Sequence, residues 1–201
     1  AKTKLKKNIL VKQHRILFIL HIPPPVHGSS MIGNYIKVSD TINKSFNARY
    51  INLGTSRTVD EIGKNPLKKT GRYFFILWQV LVQLIRFKPH LCYLAITAKG
   101  TAFFKDTVIA FLAKLFGVNL VYHFHNKGVE TYQQNRICNF LYKSVFHEAE
   151  AILLSRSLYP DVQKYLPESR VYYCPNGIPD LQQQPKNAAF SSDNKKVELL
   201  F

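Results

Sequence analysis

The chain has 201 residues, 46% of them hydrophobic, which is enough to bury the core of a globular domain and excludes a disordered or fibrous protein. Twenty-eight Lys and Arg residues against twelve Asp and Glu residues give a formal net charge of +16, which favours anionic partners such as nucleic acid, a phospholipid surface or a phosphorylated substrate. The three cysteines form no C-x-x-C pair and have no metal-ligand spacing to histidine, so they fit a reduced, cytoplasmic environment.

Residues 1–14 form a basic leader. The apolar run that begins at Ile16 is short and ends in three prolines instead of a cleavage site, so it is not a secretory signal. The longest apolar segment, Tyr73 to Ile85, is shorter than the roughly 20 residues needed to cross a bilayer. The protein is therefore expected to stay in the cytoplasm.

Short, near-continuous apolar runs alternate with amphipathic segments, the pattern of a parallel sheet covered by helices. Strands are predicted at 15–22, 48–53, 90–96, 119–125, 151–155 and 171–174. Helices are predicted at 29–46, 67–87, 101–116, 134–147 and 157–165, with Gly117 as a C-terminal stop, and an exposed loop is predicted at 54–66. The sequence thus predicts an α/β fold with a doubly wound, mainly parallel sheet, helices on both faces and ligands at the carboxyl ends of the strands. Cys92 and Cys174 fall in strand-like runs, which predicts buried side chains.

The composition changes near the end of the chain. This α/β domain is predicted to span residues 15–180, and the polar, Gln-rich segment 181–194 is interpreted as a linker. Residues 195–201 begin what is interpreted as the first strand of a second, truncated domain.

The turn after the first strand carries one candidate site, in Pro23-Pro-Pro-Val-His-Gly-Ser-Ser30. A strand that ends in a Gly/Ser turn and re-enters as a helix points backbone N–H groups at an anion, which makes Gly28, Ser29 and Ser30 candidate phosphate ligands. The alternative is structural: Gly28 supplies a turn residue and a serine caps the helix.

A second candidate lies in Tyr122-His-Phe-His-Asn-Lys-Gly128. His125 ends a predicted strand, and imidazole donates to sugar hydroxyls or phosphate oxygens and titrates near neutrality; the alternative is a structural histidine. His123 and His125 share a strand face, but no third ligand stands at a useful spacing, so no metal is expected.

Other strand ends and turns add polar residues to the same predicted cleft. Asn126 has the chemistry to bond a sugar hydroxyl, and Lys127 to pair with an acceptor phosphate or simply to lie in solvent. The remaining candidates are grouped only by position: His27, Thr97, Lys99, Gly100, Gly128, Ser155 and Arg156.

These two motifs, followed by Tyr173-Cys-Pro-Asn-Gly-Ile178, resemble in order and spacing the amino-terminal half of a GT-B glycosyltransferase, and most nearly glycosyltransferase family 4. The resemblance implies a Rossmann-like, acceptor-binding domain facing a second domain that holds the nucleotide-sugar donor. It further implies a retaining sugar transfer without a cofactor or bound metal. A chain that carries only the acceptor half is not expected to turn over alone.

The resemblance also implies roles for matching residues. Gly28, Ser29 and Ser30 would approach the donor diphosphate, although the family often has two adjacent glycines where this chain has His27-Gly28. His125 matches a histidine that the family places near the transferred sugar, which makes it the candidate catalytic residue. Many relatives glycosylate lipid-linked saccharides in envelope or capsular polysaccharide assembly, so a saccharide or lipid-linked saccharide acceptor and peripheral attachment to the inner face of the membrane are expected.

Basic residues flank the apolar segment 73–85, as suits an anionic membrane surface. The alternative is that this helix packs on the sheet and its lysines are merely solvated. A nucleic-acid-binding module is disfavoured because the chain contains no helix-turn-helix, zinc-finger or RNP-like motif. A non-catalytic module for a phosphorylated ligand would need no second domain.

Overall fold

The computed structural model describes residues 13–54 and 66–177. The predicted leader (to residue 12), the loop at 55–65, the linker and the strand at 195–201 lie outside the described residues. Six strands form one sheet in the order β2-β1-β3-β4-β5-β6. They are β1 Arg15–Leu20, β2 Asn47–Asn52, β3 Leu91–Ile96, β4 Asn119–Phe124, β5 Glu150–Leu153 and β6 Val171–Tyr173. The helices are α1 Gly28–Val38, α2 Asp40–Ser45, α3 Pro66–Arg86, α4 Gly100–Leu115, α5 Val129–Tyr132, α6 Arg136–Phe146 and α7 Tyr159–Val162.

All six predicted strands are confirmed, and every neighbouring pair in the sheet is parallel. The central strands β1, β3 and β4 are buried over five of their six residues. Burial on both faces explains why their sequences read as continuous apolar runs instead of alternating ones.

Helices cover both faces of the sheet, as predicted. Neighbouring residues on a strand point to opposite faces, and on β2 the Tyr50 hydroxyl donates to Asn43 on α2 while the Arg49 guanidinium donates to Gln83 on α3. Helices α1 and α2 therefore lie on one face, and α3, α4 and α6 on the other. The chain runs outward from β1 to β2 and then returns past β1 to β3, which makes the sheet doubly wound and Rossmann-like.

The helices depart from the prediction in three places, the first of which is α5, at Val129–Tyr132, where no helix was predicted. The single helix predicted at 29–46 is two helices, because Ser39 adopts an extended backbone that ends α1, and its hydroxyl then accepts the N–H of Ile42 to begin α2. The helix predicted at 157–165 is a 3₁₀ turn at 156–158 followed by the short α7. The predicted stop at Gly117 is confirmed by its positive φ and by the hydrogen bond from Val118 N–H to the Ala113 carbonyl.

The cysteines divide between core and surface. Cys92 and Cys138 are buried, and burial raises the pKa of the Cys92 thiol to about 12. Cys174 is exposed just after β6, so the prediction that it is buried is wrong; the strand ends one residue earlier, at Tyr173.

Helix α3 packs on the sheet and also presents apolar side chains outward. Ile76, Val80 and Leu84 belong to the core, whereas Phe74 and Trp78 are exposed. The sequence left open whether this helix is core or surface, and the structure shows one stripe of each kind. Within the described residues, no helix is long and apolar enough to cross a membrane.

Candidate functional site

A cavity of about 320 Å³ opens at the carboxyl ends of the central strands. It lies where the strand order reverses between β1 and β3, the place where doubly wound sheets bind ligands. The cavity is lined by His21, Gly28, Ser29, Ala95, Ile96, Thr97, His125 and Asn126. Five of the predicted candidates therefore meet here: Gly28, Ser29, Thr97, His125 and Asn126.

The amino end of α1 forms one wall of this cavity. His27 caps the helix. Its imidazole Nδ1 accepts the backbone N–H of Ser30, and the backbone N–H of His27 donates to the Ser30 hydroxyl. That hydroxyl also donates to the carbonyls of Pro25 and His27, and Ser30 is fully buried. Ser30 therefore serves as a cap in this structure, whereas Gly28 and Ser29, at the first two helical positions, face the cavity with the positive end of the helix dipole.

Two glycines of α1 differ in what the backbone requires of them. A Cβ on Gly28 would meet no atom within 4 Å, but a Cβ on Gly33 would lie 1.9 Å from the carbonyl oxygen of His21. Gly33 thus lets α1 approach the end of β1. The sequence reasoning missed Gly33, although a glycine inside a predicted helix was a usable signal of close packing.

Four histidines cluster around the ends of β1 and β4. The ring centroids of His123 and His125 are 4.2 Å apart, and those of His21 and His27 are 5.7 Å apart. Sequence reasoning overlooked His21, although its position directly after β1 marked it by the strand-end rule.

The pKa values of His21, His123 and His125 are lowered, which favours their neutral forms. Burial, followed by the charges of His27 and His125, lowers the pKa of His21 to about 4. Burial and then His125 lower the pKa of His123 to about 3, and burial and then His27 lower that of His125. A neutral imidazole both donates and accepts one hydrogen bond.

Two buried imidazole nitrogens, His123 Nε2 and His125 Nδ1, have no hydrogen-bond partner among the described residues. The other nitrogen of His123 bonds the Tyr93 hydroxyl. His123 also borders a second, apolar cavity of about 470 Å³ on the α1 side of the sheet, whose other walls include Phe18, Tyr35 and Ile152. Residues 13–54 and 66–177 contain no group of three or more His, Cys, Asp or Glu side chains arranged to hold a metal ion.

Two buried aspartates fix the loops that carry the cleft residues. Asp106 of α4 accepts the N–H of Thr97 at 2.8 Å, and Asp161 of α7 accepts three backbone N–H groups, those of residues 128, 129 and 130. Asn126 ties the two loops together, because its side-chain oxygen accepts the N–H of Ala98 at 2.9 Å. Sequence reasoning missed both aspartates, which lie inside helices and far from any strand end.

The remaining candidates lie outside the lining of this cavity. Lys127 is exposed beside Glu130, at 3.9 Å, and Arg156 lies over the ring of Tyr173. Ser155 bonds Ser157 at the surface. Gly100 and Gly128 have positive φ, and a Cβ on Gly128 would press on the side chain of Lys99; both glycines therefore shape their loops.

The strand order and this cleft define a Rossmann-like α/β domain with its cavity at the reversal point of the sheet. Among solved structures the chain is similar to the crystal structure of a UDP-N-acetylglucosamine 2-epimerase, with a TM-score of 0.48 and 8% sequence identity over 81% of this chain. The matched part spans about half of that protein, 48% of its chain. No family model and no curated protein matches the chain.

Proposed function

We propose that this chain is the amino-terminal, acceptor-side domain of a retaining glycosyltransferase that moves a sugar from a nucleotide-sugar donor to a saccharide, carried on a lipid, in envelope or capsular polysaccharide biosynthesis. The observation that carries the proposal is that His125, whose Nδ1 has no partner among the described residues, lines a cavity together with Gly28 and Ser29. A neutral imidazole at the wall of a cleft has the chemistry to hydrogen-bond a ligand hydroxyl or phosphate oxygen.

The chemistry asked of this domain is positioning and electrostatic stabilisation. The first backbone N–H groups of α1, with the helix dipole behind them, would stabilise the charge that develops on the departing nucleoside diphosphate. His125, neutral at physiological pH, would hydrogen-bond the transferred sugar. No cofactor or metal enters the proposal, since the nucleotide sugar is a co-substrate.

The donor itself would be held by a second domain that begins near residue 195, so the 201 residues alone are expected to be inactive. The protein would work in the cytoplasm, peripherally on the inner face of the membrane where lipid-linked acceptors are found. Nucleic acid is not a proposed partner.

The test is transfer of radiolabelled sugar from a panel of nucleotide sugars into membrane lipid extract by the product of the whole gene. We expect incorporation from one donor, a loss of about 100-fold in His125→Ala, and little change in His147→Ala, a matched substitution of an exposed histidine at the end of α6. Circular dichroism of both variants checks that the fold is kept.

No incorporation from any donor would contradict the proposal. Tight binding of a phosphorylated small molecule or of nucleic acid without transfer would then favour the binding-module alternative. Equal rates in His125→Ala and His147→Ala would remove His125 from the reaction.

A further inference from the structure

Helices α3, α4 and α6 leave many large apolar side chains in solvent. On α3, Phe74, Phe75 and Trp78 are 61–63% exposed. We call the exposed apolar side chains of these three helices the outer helical face: Phe74, Phe75, Trp78 and Ile85 of α3, Phe104, Val108, Phe111 and Leu115 of α4, and Ile137 and Phe140 of α6. A patch of this size is not ordinary surface, because single exposed apolar residues are common but contiguous ones mark an interaction site.

The spacing of these residues makes each stripe straight. Positions 74, 78 and 85 on α3 are four and seven residues apart, and positions 104, 108, 111 and 115 on α4 are three or four residues apart, so they align along one side of each helix. The opposite side of each helix already fills the core, with Val80 on α3 and Ile109 on α4 as examples. The outward stripes are therefore additional to what the fold needs.

The three helices lie side by side, so their stripes join. The hydroxyl of Tyr73 on α3 donates to the carbonyl of Lys105 on α4 at 2.9 Å. At the other end of α4, the ammonium of Lys114 donates to the carbonyls of Ser144 and His147, at the end of α6. The outer helical face is thus a surface spread over three neighbouring helices.

Basic residues predominate on the described parts of these three helices. The only acidic residue in the three helices is Asp106, which is buried beneath α4. The basic residues of these helices whose side chains the structure describes are Lys69, Arg72, Arg86, Lys105, Lys114, Arg136 and Lys143. Asp40 on α2 and Glu168 beside β6 are surface acids on other elements, and Glu148, just after α6, is an exposed acid near Lys114.

We propose that the outer helical face docks on an anionic lipid bilayer. Aromatic and aliphatic side chains ringed by cations are the chemistry of a surface that lies in the headgroup region, where apolar groups enter the acyl boundary and cations meet anionic lipids. A second copy of this chain is a poor occupant, because it would bring the same cations against this face, on a chain with a net charge of +16. The proposal does not depend on the glycosyltransferase activity.

The chain contains its own probe for this proposal. Trp78 is its only tryptophan and belongs to the outer helical face, so tryptophan fluorescence, excited selectively over that of the eleven tyrosines, reports on this surface. The full chain is titrated with vesicles of phosphatidylglycerol and phosphatidylcholine, and with vesicles of phosphatidylcholine only. We expect a blue shift with the anionic vesicles, quenching by brominated acyl chains, and release of the protein by high salt.

Two pairs of variants separate the apolar from the electrostatic part. Phe74→Gln with Phe75→Gln should weaken partitioning at least about tenfold, whereas Tyr172→Gln, at a 53% exposed tyrosine on β6, should leave it unchanged. Lys105→Glu should weaken partitioning several-fold, whereas Lys164→Glu should not. The lysines are matched, since each ammonium lies over a tyrosine ring, at 5.6 Å from Tyr73 and 5.4 Å from Tyr165.

Each other outcome overturns the proposal. Vesicles that leave the Trp78 spectrum unchanged would exclude a bilayer, and so would equal partitioning of the Phe74/Phe75 and Tyr172 variants. A blue shift that grows with protein concentration and needs no lipid would instead show that this face joins two copies. Vesicle binding is measured without a nucleotide sugar, so its failure would remove membrane attachment through this face and leave the sugar transfer standing, whereas failure of the transfer would leave vesicle binding untouched.

Discussion

The missing side chain of Gly33 allows helix α1 to touch the backbone of His21: a Cβ at position 33 would lie 1.9 Å from the His21 carbonyl oxygen. This close approach holds the amino end of α1 against the end of β1 and so sets one wall of the polar cavity. The glycine that begins the same helix, Gly28, has no such constraint.

The two glycines therefore form a matched pair for mutation. Gly33→Ala must displace α1 or the end of β1, because the clashing atom is backbone, and we expect it to lower the free energy of unfolding by about 2 kcal/mol or more. Gly28→Ala should change it by less than about 1 kcal/mol. Urea unfolding followed by circular dichroism measures both, and equal losses would contradict the geometry.

Asp161 should be far more costly to remove than its position on a helix of four residues implies. Asp161→Ala would leave the N–H groups of Gly128, Val129 and Glu130 without their acceptor, and two of these three hydrogen bonds are buried. We expect a loss of about 3 kcal/mol or more in the free energy of unfolding. Asp40→Ala, which removes an exposed ion pair with Lys44, should cost less than about 1 kcal/mol; a similar loss in both variants would refute the role of Asp161.

Asp106 should make the protein less stable as the pH rises. Burial raises its pKa to about 7, in spite of the opposing hydrogen bonds from Thr97 and the nearby charge of Lys105. The folded state therefore holds a proton that the unfolded state has released, and the stability tied to it is lost between pH 3.8 and about 7. Asp106→Asn keeps an acceptor for Thr97 N–H but does not titrate. The Tm of the parent should therefore fall relative to that of the variant over this pH range and then level off. A constant difference between the two Tm values would contradict the prediction.

His21 and His123, in contrast, should make the protein less stable as the pH falls. The pKa of His21 is lowered to about 4 and that of His123 to about 3, from the ordinary histidine value of 6.5. Their contribution to stability is complete above pH 6.5 and falls as the pH drops towards these lower values, since the unfolded chain binds the protons more tightly. NMR titration should show the His21 imidazole still neutral at pH 5.5, and a midpoint near 6.5 would exclude this environment.

The sheet could be predicted from sequence because each strand is a separate apolar run with turn chemistry on both sides. The break at Ser39 could not, because the apolar period continues through Ile42 and Phe46 as though the helix went on. A single serine with an extended backbone decides the matter, and nothing in its neighbours distinguishes it from a serine inside a helix.

The residues of the polar cavity could be predicted from the sequence only in part. His125, Thr97 and Asn126 could be placed together because parallel strands bring their carboxyl ends to one edge. Asp106 and Asp161 could not, because their partners stand 9 and up to 33 residues away and the contacts exist only after the helices pack. The outer helical face was partly visible in the aromatic helix, but its continuation onto α4 and α6 depends on which helices become neighbours.

The bond between Asp161 and Gly128 also has a consequence for how the chain is made. A ribosome adds roughly 5–20 residues per second, so the loop after β4 waits on the order of two to seven seconds for the aspartate that lies 33 residues further along. During that interval its amide groups are held by water alone. The wall of the cleft that carries Asn126 is therefore a late product of translation, set only when the segment before β6 has emerged.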